Sequence, residues 1–88
     1  MSNIKTSNEH FLIRNRNIRN EYLKKTDYFM LSDVYEVLTL EQQQELITYR
    51  KTLRDFINQN ESNYLDKGIN FIDFPNPPSW MNIPLIKY

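Results

Sequence analysis

Glycine and proline are confined in this chain in a way that leaves few folds open. Gly68 is the only glycine, and all four prolines (Pro75, Pro77, Pro78 and Pro84) lie near the C-terminal end. Tight β-hairpins draw on glycine at positive φ, so this chain is poorly supplied for a β fold. Helix interiors exclude proline, and none precedes Pro75. The expected fold is mainly α: a two-helix antiparallel hairpin with a structured connection and an extended, Pro-rich C-terminal tail. By residue, this gives an N-terminal arm over 1–14, a helical hairpin domain over 15–62 and the apolar tail over 63–88.

The second helix has the clearer signals. Thr39-Leu40-Glu41-Gln42 is a capping box, in which Thr39 accepts from the Gln42 N–H and Gln42 reaches back. Glu41 sits in the positive first turn. Leu46, Tyr49, Leu53 and Phe56 follow at steps of three and four and form one stripe, widened by Ile47 and Ile57. Gln43, Gln44, Lys51 and Gln59 are expected to face water, and the helix to end between Asn58 and Ser62. The first helix is expected over about Asn15 to Lys25. Asn15 or Asn17 can cap its start, and Ile18, Tyr22 and Leu23 share a face. Lys24 and Lys25 suit its negative pole. Ile4 to Ile13 can extend the helix or form an arm, and a partly ordered arm is the preferred reading.

Asp27 to Leu38 is long for a helix–helix connection, for which about 2–8 residues is usual. It carries Tyr28, Phe29, Met30, Leu31, Val34, Tyr35, Val37 and Leu38, which suits a segment packed across the open end of the helix pair. Thr26, Asp27, Ser32 and Asp33 can fix its turns through backbone N–H groups. Arg50, Arg54 and Asp55 close the second helix with two roles open. They can form a surface network to the first helix, such as Arg19 to Asp55. They can also bond the carbonyls and carboxylates of the 27–33 stretch, the preferred role, because it explains how an apolar connection holds one shape.

In the tail, Phe71, Phe74, Trp80, Met81, Ile83, Leu85, Ile86 and Tyr88 are interleaved with proline. An extended path near polyproline II follows, too apolar for disorder. It folds back over the hairpin or docks on another protein, with plain disorder the least favoured outcome. For docking, the candidate partner-binding residues are Phe71, Phe74, Pro75, Pro77, Pro78, Trp80 and Met81. Trp80 is the anchor, since tryptophan dominates binding hot spots. In the fold-back case Trp80 staples the tail to its own hairpin.

Composition narrows function. A chain of 88 residues fits one domain, with a core worth about 3–5 kcal/mol. It has no cysteine, a single histidine (His10), and 11 basic against 11 acidic residues. Zero net charge argues against a nucleic-acid binder, which needs a positive surface. Charge is uneven: Arg14, Arg16, Arg19, Lys24 and Lys25 precede Asp27, Asp33, Glu36, Glu41 and Glu45. No apolar run approaches the ~20 residues of a membrane span, and Phe11-Leu12-Ile13 is too short for a signal-peptide core, so no membrane is expected. Asp27, Asp33 and Glu36 do not match a calcium loop, and there is no glycine-rich phosphate cradle. Asp27 and Asp33 are more ordinary as turn and cap residues than as an acid–base pair. No enzyme activity, cofactor or metal is expected. The expected function is binding a protein partner, with homo-oligomerisation open.

The spacing Arg19-x-x-x-Leu23-x-x-Thr26-Asp27, then Thr39-x-Glu41-Gln42 and Tyr49-Arg50-x-x-Leu53-Arg54-Asp55, resembles the phage tail assembly chaperone family. Phe74-Pro75-x-Pro77-Pro78 matches that family's Phe-Pro, proline-rich ending, and the resemblance runs from about Ile18 to Trp80. Asp33 belongs to the connecting motif. Tyr28 stands where the family typically has Trp, the common proline near Asp33 is missing, and 58–68 reads as an insertion. The resemblance implies a non-enzymatic protein of tail or tail-fibre assembly, in the host cytoplasm or the virion. The alternatives are a minor virion component and a small inhibitor of a host protein.

Overall fold

The computed structural model describes residues 4–85, with side chains from Asn8 onward; Ile86 and Tyr88 of the expected tail lie outside the described residues. Two long helices, α1 (Ile4–Met30) and α3 (Leu40–Gln59), pack as a hairpin. A short α2 (Ser32–Tyr35) lies between them, and α4 (Glu61–Leu65) follows α3. The described residues contain no strand. Beyond Gly68 the chain runs extended, apart from a 3-10 turn over Ser79–Met81.

The first helix begins at Ile4 and runs to Met30, so Ile4 to Ile13 extends the helix in place of the preferred arm, and the helix passes the stop expected at Lys25. The reason is a long inward stripe: Phe11, Asn15, Ile18, Tyr22, Thr26 and Phe29 follow at steps of three and four. Two of its members are polar, and both are 0% exposed. Thr26 donates to the Leu23 carbonyl at 2.6 Å. Asn15, one of the two residues expected to cap the helix, is an interior clamp: its Nδ2 donates to the Phe11 carbonyl at 2.8 Å and the Asn70 carbonyl at 2.9 Å. Asn8 does the same one turn-pair earlier, donating to the Leu65 carbonyl at 2.9 Å. These amides satisfy backbone groups of the returning chain that α4 and the tail leave open.

The capping box at α3 is present in both directions, each bond 3.0 Å. Leu46, Tyr49, Leu53 and Ile57 are buried. Phe56 is half-buried, while Ile47 remains 46% exposed. Gln43 does not face water. Its Nε2 donates to the Tyr35 carbonyl at 2.9 Å and so ties the connection to α3.

α4 occupies the stretch expected to be an insertion before the tail, and it packs on the N-terminal half of α1. It buries Tyr64 completely. Gly68 ends this turn at φ +67, and a Cβ there would lie 3.3 Å from Asn8 Nδ2.

The tail folds back. Phe74, 8% exposed, sits between the two long helices, its ring centroid 5.5 Å from Tyr22 and 4.7 Å from Phe56. Tyr49 Oη donates to the Pro75 carbonyl at 3.2 Å. Met81 is buried, and Trp80 meets Phe29 edge-on at 5.4 Å. A two-helix hairpin has two open faces, and here the tail covers one of them.

Candidate protein-binding surface

Arg50 organises the closed end of the hairpin. Its Nη1 faces three acceptors on α1: the Leu23 carbonyl at 3.3 Å, the Thr26 hydroxyl, and Asp27 Oδ1 at 2.9 Å. Arg19 answers from α1, donating to the Arg54 carbonyl at 3.2 Å. Burial lowers the Arg19 pKa from its ordinary value, with neighbouring Arg16 adding to the effect. Of the two roles open for these arginines, the contacts are mainly the first, a network to the first helix: all three Arg50 acceptors lie on α1, and the preferred role is met only at Asp27. The network to Asp55 is not formed through Arg19: Asp55 pairs with Lys51 at 3.0 Å. Arg54 is exposed and contributes only its carbonyl. Asp33 stands exposed in the first turn of α2. Thr39, Gln42, Tyr49 and Leu53 serve capping and core.

The tail residues divide. Phe74 and Met81 are buried in the chain's own core. Phe71, Pro75, Pro77, Pro78 and Trp80 are half-buried, and Phe71 packs toward Phe74. Of the seven expected contact residues, Trp80 packs toward the tip of the hairpin through Phe29. It joins a run of rings, Trp80–Phe29–Tyr28, with centroid steps of 5.4 and 5.2 Å, and that run ends at the tip of the hairpin.

Apolar surface remains open at the tip. Tyr28 is 59% exposed, Leu31 57% and Val37 80%. These residues are held, not loose. Tyr35 N donates to the Leu31 carbonyl at 2.8 Å, Leu38 N to the Tyr35 carbonyl at 3.1 Å, and Gln43 clasps the same turn. Between Thr26 and Tyr49 the chain has five carboxylates and no lysine or arginine. Next to the tip, α3 and the tail enclose an open groove of about 440 Å³. Glu41, Glu45, Thr48 and Tyr49 line one wall, and Pro75 and Pro78 the other. Burial, with a smaller contribution from Tyr22, pushes the Tyr49 phenol above the usual tyrosine range, so Tyr49 stays neutral there. An apolar tip beside an acidic, proline-walled groove can hold a segment carrying both aliphatic and cationic side chains.

Among the described residues, no group of three or more His, Cys, Asp or Glu is placed to hold a metal ion. No described helix is long and apolar enough to cross a membrane. In comparisons with protein-family models, curated proteins and solved structures, none matches this chain.

Proposed function

We propose that this chain is a non-catalytic binding domain that engages a phage tail or tail-fibre component during assembly, covering apolar surface until the component meets its permanent neighbour. The observation that carries the binding reading is the fixed apolar tip, Tyr28, Leu31 and Val37, rimmed by carboxylates. Fixed exposed apolar groups of this kind mark interaction sites, and the surrounding negative charge favours a basic partner segment. The assembly context rests on the resemblance alone. Of its motif residues, Arg19, Thr26, Asp27 and Arg50 tie α1 to α3, and Thr39 and Gln42 cap α3.

The binding surface in this reading is the tip with Trp80 beside it, and the rest of the tail acts as core. The test is affinity capture from infected-cell extract with the intact chain and with a Leu31→Lys/Val37→Lys variant, each checked for unchanged helix content. A tail or tail-fibre component captured by the first and lost by the second supports the proposal. Equal capture by both contradicts the tip, and capture of a host enzyme or regulator alone contradicts the assembly role.

A further inference from the structure

The tail covers one face of the α1–α3 hairpin. The opposite face is left open by the described residues and carries a pattern of its own. On α3, Leu40, Ile47 and Arg54 are spaced by seven; on α1, Leu23 and Met30 continue the pattern, and Arg19 lies one turn before Leu23. Seven-residue spacing keeps side chains on one line of a helix facing a helical neighbour. Leu40 is 82% exposed, Ile47 46% and Met30 44%, while Leu23 packs partly into the core. The level of the two helices is set by Arg19 bonding the Arg54 carbonyl and Arg50 bonding the Leu23 carbonyl. Counting along the antiparallel helices from those bonds, Ile47 lies level with the midpoint between Leu23 and Met30.

We infer that this face pairs with the same face of a second copy about a two-fold axis passing by Ile47, giving an antiparallel four-helix bundle. The pattern is self-complementary under that operation. Ile47 meets Ile47 of the second copy. Leu23 comes opposite Met30, and the aliphatic stem of Arg54 comes opposite Leu40. Arg19 and Arg54 form the basic end of each face. The other end is the tip with Asp33 and Glu36, so the operation lays each basic end over an acidic tip. A two-fold interface requires one patch to match itself in this way, and packing of hairpins near 20° is the common geometry of such bundles. A basic foreign helix would meet Arg19 and Arg54 as like charges, which favours the second copy on this face. The interface goes beyond the assembly reading and uses residues other than Leu31 and Val37.

The chain has no cysteine, so a single introduced one reads the axis directly. Ile47→Cys is expected to cross-link to itself under mild oxidation, whereas Thr48→Cys, on the groove side of the same helix, is expected to form the same dimer without a cross-link. In sedimentation equilibrium the intact chain is expected at twice its 10.7 kDa mass, dissociating as salt rises. Ile47→Lys, at a half-exposed position that tolerates lysine in the monomer, is expected to sediment as a folded monomer, and Leu31→Lys to stay dimeric. A monomeric intact chain, equal cross-linking at positions 47 and 48, or a dimeric Ile47→Lys variant would each overturn the two-fold face.

Discussion

At the residue scale, one guanidinium carries more than its neighbours. Arg50 is largely buried, with its side chain 15% exposed, whereas Asp27 is 63% exposed. Solvent screens the ion pair to at most about 1 kcal/mol. The Leu23 carbonyl and Thr26 hydroxyl are the more sheltered acceptors. Arg50→Met, which keeps the stem, is therefore expected to lower unfolding free energy by about 1.5–3 kcal/mol, and Asp27→Asn by less than about 1 kcal/mol, both read by urea denaturation. Equal losses would mean that the exposed pair dominates. Tyr49 supplies a pH signature. Its folded pKa lies above the unfolded value, so the folded state holds the proton more tightly. Its contribution is complete below about pH 10 and is lost as pH rises through the folded value. Tyr49→Phe gives up the bond to Pro75, about 0.5–1.5 kcal/mol at neutral pH, and is expected to lose less stability than the native chain between neutral pH and pH above 10. Parallel pH profiles for the two proteins would contradict this.

At the element scale, α3 was legible because each of its signals is local: a capping box, an apolar stripe of steps three and four, and no breaker. The extent of α1 was not legible. Its stripe passes through Asn15 and Thr26, whose burial depends on carbonyl partners, that of distant Asn70 for one and that of Leu23 in α1's own turn for the other. Inward asparagines at positions 8 and 15, seven apart and in line with Tyr22, were the available signal, but asparagine reads first as a cap. α4 stayed hidden for a similar reason: five residues carry too little periodicity, and Tyr64 earns its place only against α1. The candidate surface was legible in part. Trp80 was identified, but the tip was read as packed core, because exposure depends on which side the tail covers. The turn after α4 can be tested through Gly68. Gly68→Ala places a side chain at positive φ and against Asn8, and is expected to cost about 1–2 kcal/mol, read as a lowered urea midpoint. An unchanged midpoint would mean that the turn relaxes without loss.

At the scale of the whole molecule, the described chain is a rod, 56 × 21 × 18 Å, and a rod of two helices has too little interior unless something closes it. The tail does this on one face, with Phe74 bridging Tyr22 and Phe56. Phe74→Ala is therefore expected to cost about 3–5 kcal/mol, enough to unfold most of a domain this small, as seen in far-UV circular dichroism. Retained helix content and an unchanged urea midpoint would show that the tail is an appendage. The assignment of binding to the tip depends on this closure, and Trp80 is the only tryptophan in the chain, so its fluorescence reports closure without a label. The decisive measurement is its emission during urea titration, followed together with circular dichroism on the free protein. Blue-shifted emission that moves to the solvent-exposed value in the same transition as helix loss is the expected result. Solvent-like emission with both helices intact would mean that the tail stands free, and would return the binding role to it.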